Sequence, residues 1–249
     1  MRKRLDLALV ERGLAESREK AKRATLAGQV FINGRRAGKP GDLVRPEDDL
    51  TVAAPERYVS RGGLKLEHAL RHFGLNVAGL KAVDLGASTG GFTDCLLQHG
   101  AASVCAVDVG QGQLAWKLRQ DPRVCVLEKT NARHLTLAML PPDRMPADLV
   151  VADCSFISLR KILPPAVALL RPSGRIVALI KPQFEAGKAE ASRAAGVIRD
   201  PAVHARVLAD MEQFVVGELK LAWIGCTESP LLGPAGNKEF LALIEKPRE

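Results

Sequence analysis

The sequence predicts an α/β protein: a doubly wound, parallel sheet with helices on both faces, preceded by a small basic α+β domain. Three observations lead there. From about Ser60 onward, seven short apolar runs, AVDLG, SVCAVDV, RVCVLE, DLVVAD, RIVALIK, LAWIGC and FLALIE, alternate with helix-like segments. Continuous apolar strands separated by helices are what a sheet covered on both faces requires. The first strand runs directly into a glycine-rich turn, AVDLGASTGG. And the charge is lopsided: residues 1–39 hold eleven Lys/Arg against four Asp/Glu, nearly the whole net charge of +8. The predicted boundaries are 1–53 for the basic domain, 54–59 for a linker and 60–249 for the larger domain.

Within residues 1–53, Leu5, Leu7, Leu9, Val10 and Leu14 fit a short amphipathic helix closed by Gly13. Ser17 is placed to cap a second helix, REKAKRATLA, which Gly28 ends. QVFING then makes a strand entering an Asn33-Gly34 hairpin turn, and Asp49–Ala53 offers a closing strand. The positive surplus points to a polyanion, RNA above all. Its candidate contacts are Arg4, Arg18, Lys20, Lys22 and Arg23 on or near the helices, with Arg35, Arg36 and Lys39 in the loop after the hairpin.

In the larger domain the glycine-rich turn separates a strand from the helix FTDCLLQHG. Glycines let the backbone approach a ligand closely, and helix N–H groups face it. Asp108 ends the next strand, where an acid accepts ribose hydroxyls. Asn131, after the third strand, is placed for an adenine edge. The candidate cofactor residues are Asp84, Gly86, Ser88, Thr89, Gly90, Gly91, Phe92, Asp108, Val109, Asn131 and Asp153. The turn lacks G-x-x-x-x-G-K-[ST], which argues against a P-loop. Ser88 stands where the second glycine of G-x-G-x-x-G belongs, which argues against a nicotinamide dinucleotide. S-adenosylmethionine suits the turn, since it has no pyrophosphate to cradle.

Asp153 and Lys181 lie at the carboxyl ends of two successive strands, the edge where doubly wound sheets bind ligands. Lys65, on a helix before the first strand, and Glu239, just before the last, complete a set of two lysines and two acids. Such a set can deprotonate a poor nucleophile. Cys154 is a competing nucleophile for carbon methylation, but its apolar neighbours favour a buried thiol. The five cysteines show no CxxC spacing, so neither a metal site nor a disulfide framework is expected. The N-terminus is too charged for a secretory signal, and no apolar run nears the ~20 residues that span a bilayer. The expectation is a reduced, cytoplasmic protein with no membrane partner. Glu185 to Asp200, polar and rich in Ala and Gly, reads as a mobile loop beside the site or, equally, as a simple surface excursion.

SRGGLKL, VDLGASTGGFTDCLL, ADCSFISL, KPQFE, GVIRD and GNKEF together resemble the TlyA group of FtsJ-like RNA 2′-O-methyltransferases, also called hemolysin A proteins. SREKAKRATLAGQVFINGR resembles the RNA-binding domain of ribosomal protein S-four. The resemblance implies a Rossmann-like, S-adenosylmethionine-dependent methyltransferase sheet and a catalytic tetrad of Lys65, Asp153, Lys181 and Glu239. In it Lys181 takes the proton, Asp153 orients Lys181, and Glu239 positions Lys65 or the ribose. It further implies methylation of cytidine ribose in ribosomal RNA, with rRNA or ribosomal subunits as partner. The short N-terminus, and a C-terminus ending soon after FLALIEK, resemble the more compact members and lean towards large-subunit RNA, with small-subunit RNA second. Other readings are a dinucleotide oxidoreductase, a non-enzymatic RNA-binding or ribosome assembly factor and a pore-forming hemolysin. The last would need an amphipathic or spanning segment, and the sequence offers none.

Overall fold

Seven strands of the larger domain align side by side, and the central ones bury apolar residues on both faces. The computed structural model describes residues 2–53, 56–187, 190, 192 and 194–248. Positions 54 and 55 of the predicted linker, and positions 188, 189, 191 and 193 of the predicted loop, lie outside the described residues. The chain divides into two units, Met1–Arg57 and Tyr58–Glu249. Tyr58 and Val59, assigned by sequence to the linker, fall in the second unit. Tyr58 is buried in its core, and the Val59 N–H donates to Asp94 Oδ2 at 2.8 Å.

The first unit contains β1 (Lys3–Arg4), α1 (Leu5–Glu11), α2 (Arg18–Leu26), β2 (Val30–Ile32), β3 (Arg35–Arg36), β4 (Leu43–Val44) and β5 (Leu50–Val52). Ser17 caps α2 as its sequence position demands, accepting the Lys20 N–H at 3.2 Å. Ile32 pairs with Arg35 across a two-residue turn in which Asn33 and Gly34 both have positive φ, the conformation a tight hairpin needs. β2 is flanked by β3 and β5, and a separate pair joins β1 to β4. Leu5, Leu9, Ala21, Val30, Val44 and Leu50 close a small core.

The second unit runs α3 (Gly62–His72), β6 (Lys81–Leu85), α4 (Gly91–Gln98), β7 (Ser103–Val107), α5 (Trp116–Arg119), β8 (Val124–Leu127), β9 (Ala147–Ala152), α6 (Leu163–Leu169), β10 (Leu170–Ile180), α7 (Pro182–Glu185), α8 (Pro201–Gln213), β11 (Ala222–Glu228) and β12 (Phe240–Glu245). The sheet order is β11-β12-β10-β9-β6-β7-β8. β6 to β10 are parallel, whereas β12 pairs antiparallel with both neighbours. The sequence runs alone suggested parallel strands throughout. The link from β11 to β12 holds no α-helix, so it cannot make the crossover a parallel pair needs.

Alternation along each strand divides the core between two faces. Val83, Leu85, Val150, Ile176 and Ile180 meet α6 and α8, whereas Ala82, Leu149, Val151, Val177 and Leu179 meet α3 and α4. The order reverses between β6 and β9, which opens a crevice at the carboxyl edge of the strands.

Candidate active site

The carboxyl edge collects the chemistry. Asp153 follows β9 and Lys181 follows β10. Because β12 runs the opposite way, Glu239, which precedes it, lies on that same edge: Ile180 pairs with Phe240, setting Lys181 beside Glu239. Lys65 comes from α3. The four residues form two pairs. Lys181 Nζ lies 2.6 Å from Asp153 Oδ1 and donates to Ser155 Oγ at 2.9 Å. Lys65 Nζ donates to Glu239 Oε2 at 2.5 Å. Both lysines and Glu239 are buried, with relative exposures of 6%, 7% and 1% for Lys65, Lys181 and Glu239. Charges so buried persist when paired, and removing one partner typically costs about 3–5 kcal/mol. Room for the Glu239 carboxylate depends on Gly233, where an added Cβ would fall 2.5 Å from Oε1.

A cavity of about 500 Å³ opens at the switch point, lined among others by Gly86, Ser88, Asp108, Asn131, Asp153 and Phe156. Val109 lines it as well. Gly86 takes φ +84, and an added Cβ would meet Asp153 O at 2.8 Å, so only glycine fits beneath the cavity there. Asp108 braces the turn, accepting from Ser88 N at 2.8 Å and Gly110 N at 2.7 Å. A carboxylate has about four acceptor positions, so two remain for a ribose. Asn131 Oδ1 accepts the Arg133 N–H at 3.0 Å, so its contribution to a ligand is its amide N–H.

The remaining loop candidates lie off the cavity wall. Gly90 makes room for Leu114 and Leu118, and Gly91 for the close approach of Ser60 and Gly63 near the start of α3. Phe92 is buried in the core, and the Thr89 carbonyl accepts the Ala115 N–H. These residues shape the turn from behind. Asp84 is fully buried, and Oδ2 accepts from Thr93 N at 3.0 Å and Thr93 Oγ1 at 2.7 Å. Its Oδ1 has no hydrogen-bond partner among the described residues, and burial pushes the carboxyl up to about 7. An acid at the strand end, an amide at the third strand and a glycine cradle fit a sulfonium nucleoside without pyrophosphate. Burial, then the neighbouring Asp153, pushes the Cys154 thiol up to about 12, and its Sγ donates to Leu85 O at 3.4 Å. A thiol so held is a poor nucleophile.

Sequence reading missed the loop after β9. Ser155 holds Lys181. Phe156, 91% exposed, stands at the cavity mouth with φ +64, its ring 5.4 Å from that of Phe184. Glu185, assigned to the start of a loop, instead ends α7 and accepts from Ser158 and Leu159. The far end of that predicted loop is fastened. Asn237 Oδ1 accepts the Ile198 N–H at 2.9 Å, and Nδ2 donates to Gly196 O at 2.9 Å. The signal for Phe156 was its place: an aromatic directly beyond a strand-end acid, outside any apolar run.

The eight basic candidates of the first unit divide by partner. Arg4 and Arg18 clasp Asp6, whose side chain is fully buried; Arg4 first, then Arg18, holds that carboxyl well below the usual range against the opposing effect of burial. Lys20 pairs with Glu16, and Lys22 approaches Glu19 at 3.9 Å. Arg23, Arg35, Arg36 and Lys39 are exposed and have no ion pair among the described residues. Arg36 lays its guanidinium over Gly28 at the end of α2, where an added Cβ would fall 2.7 Å from Cζ. Of the eight candidates, these four have charge to spare.

Among the described residues, no group of three or more His, Cys, Asp or Glu side chains could hold a metal, and no helix is long and apolar enough to cross a membrane. Residues 58–246 match the family described as FtsJ-like methyltransferase, and residues 3–50 match the S4 domain. YqxC of Bacillus subtilis, named for rRNA methylation, is 52% identical over 100% of this chain and 87% of its own length. The 16S/23S rRNA (cytidine-2′-O)-methyltransferase TlyA of Mycobacterium tuberculosis is 49% identical over 96% and 88%. The solved structure of a hemolysin-named protein from Streptococcus thermophilus superimposes with a TM-score of 0.75 at 44% identity, over 99% of this chain and 89% of that one.

Proposed function

This chain belongs to the FtsJ-like methyltransferase family and carries an S4 domain; on that premise we propose that it methylates the 2′-oxygen of a cytidine in ribosomal RNA. S-adenosylmethionine is the proposed methyl donor, and it supplies an electrophilic methyl on a sulfonium. Gly86, Ser88, Asp108, Val109 and Asn131 would hold it, with Asp84 behind the turn.

A ribose hydroxyl is a weak nucleophile, so its proton must leave as attack proceeds. The observation that carries the reading is the Lys181 environment: both of its partners, Asp153 and Ser155, line that cavity. To act as a base, the Lys181 ammonium must first release a proton to solvent; the amine then keeps two N–H groups for Asp153 and Ser155. Its lone pair is then left to accept the 2′-hydroxyl proton. General-base assistance of this kind contributes about 10²–10⁴-fold. Lys65 spends one of its donors on Glu239 and keeps the others for the ribose. Exposed Phe156 offers a face on which a splayed-out base can stack. Arg23, Arg35, Arg36 and Lys39 of the S4 domain supply phosphate contacts.

The proposal takes in large- and small-subunit RNA alike, since the name of the Mycobacterium relative carries both. Mapping of 2′-O-methylation on 16S and 23S RNA, from cells with and without this protein, tests the proposal. The expected result is loss of a methyl mark on at least one cytidine. Identical maps, with the protein expressed in the control, would contradict it. A purely structural assembly factor has no use for two buried lysine–carboxylate pairs at a cofactor crevice.

A further inference from the structure

Glu185 ends α7, four residues after Lys181, and takes no part in the chemistry above. Its carboxylate is devoted to the loop after β9. Oε2 accepts the Ser158 hydroxyl at 2.6 Å and Oε1 accepts the Leu159 N–H at 2.8 Å. Burial holds this carboxyl above its ordinary range, against the two bonds, which act the other way.

The near end of the same loop is anchored to the sheet. The Asp153 N–H donates to Leu85 O at 3.0 Å, and Cys154 Sγ donates to that carbonyl as well. Between the two anchors lie Ser155, Phe156 and Ile157. Ser155 is the second acceptor for Lys181, and Phe156 sits in the left-handed region that a bulky L residue adopts only when its surroundings hold it there. Phe156 is almost wholly exposed, and its ring contact is with Phe184, itself part of α7.

We propose that Glu185 is a positioning residue for methyl transfer: by pinning Ser158 and Leu159 to α7, it keeps Ser155 and Asp153 where they accept the two N–H groups of Lys181. This rests on the reading of Lys181 as proton acceptor. The lysine precedes α7 and the clamp ends it, so the base and the loop that orients it are held by one short element. A carboxylate suits the task because the loop presents two donors. Glutamine keeps one acceptor for Leu159, and the Ser158 hydroxyl can turn to accept from the amide.

The test is a double-mutant cycle on the full chain, read as single-turnover methylation of ribosomal RNA with S-adenosylmethionine. Glu185→Ala is expected to slow methyl transfer roughly 10- to 100-fold, the scale of a small misplacement of reacting groups. Glu185→Gln should recover most of that loss. Combined with Ser155→Ala, Glu185→Ala should cost far less than it does alone, because both act through one contact. Multiplicative losses in the double variant, or a glutamine variant as slow as alanine, would overturn the proposal. If Glu185→Ala fails to fold, Ser158→Ala replaces it in the cycle with the same expectation. Lys181→Ala is run alongside. A dead Lys181→Ala with multiplicative losses sinks this inference alone, whereas an active Lys181→Ala sinks the base assignment beneath it.

Discussion

Asp153 and Lys181 were legible as functional residues because each is an ionisable group at the end of an otherwise apolar strand. Nothing in a buried strand asks for a charge there unless a ligand or a partner does. Lys65 and Glu239 carry no such signal, since a lysine on a helix and a glutamate in a loop are ordinary surface residues. They emerge from the sequence only through resemblance, and the structure brings them together at 2.5 Å. Cys154 tests the distinction between lining a cavity and acting in it. With its thiol pushed up to about 12, first by burial and then by Asp153, it stays protonated at neutral pH. Cys154→Ala is therefore expected to methylate RNA within a few-fold of wild type, measured by methyl incorporation. Loss of turnover, together with a trapped covalent RNA adduct in the wild type, would restore the thiol as nucleophile.

Among the elements, the glycine turn lies between β6 and α4, where the sequence set it. A run of glycines does not say which ones line a cavity and which ones accommodate a neighbouring segment. Gly86 lines the cavity, whereas Gly90 and Gly91 make room for side chains and backbone packed behind the turn. The reversed direction of β12 was equally hidden, because strand polarity depends on the connection and not on the apolar run. Asp84 gives the turn a measurable pH response. Its folded carboxyl is raised by burial to about 7, above its unfolded value, so the folded state holds a proton that the unfolded state has released. Stability from this group is thus fully present below about pH 4 and declines as pH rises towards 7, by several kcal/mol at about 1.4 per unit. Asp84→Asn should flatten that slope in urea midpoints recorded between pH 5 and 8. An unchanged slope would mean that Asp84 is ionised throughout, and that its orphaned Oδ1 has found a donor.

At the scale of the whole molecule, the chain forms two units, and the sequence pointed to them through its lopsided charge and the change of pattern near Ser60. Which cations are free was not, since pairing with Asp6, Glu16 or Glu19 depends on folded geometry. RNA affinity should fall steeply with salt, and replacing Arg23, Arg35, Arg36 and Lys39 with alanine should flatten that dependence by roughly 0.7–0.9 in log–log slope for each phosphate no longer neutralised. Calorimetric binding of S-adenosylmethionine by that fourfold variant should match wild type. A salt dependence that survives the fourfold change would place the phosphate-binding cations elsewhere.

The central claim is that Lys181 removes the ribose proton, and arginine at that position separates this from a role for charge alone. A guanidinium keeps the positive charge and the hydrogen-bond donors but is not deprotonated in proteins. Single-turnover methylation of ribosomal RNA by Lys181→Arg, with folding and S-adenosylmethionine affinity verified on the same sample, is the direct measurement. Turnover at or near background, indistinguishable from Lys181→Ala, is the expected result. Near-wild-type turnover by the arginine variant would contradict it.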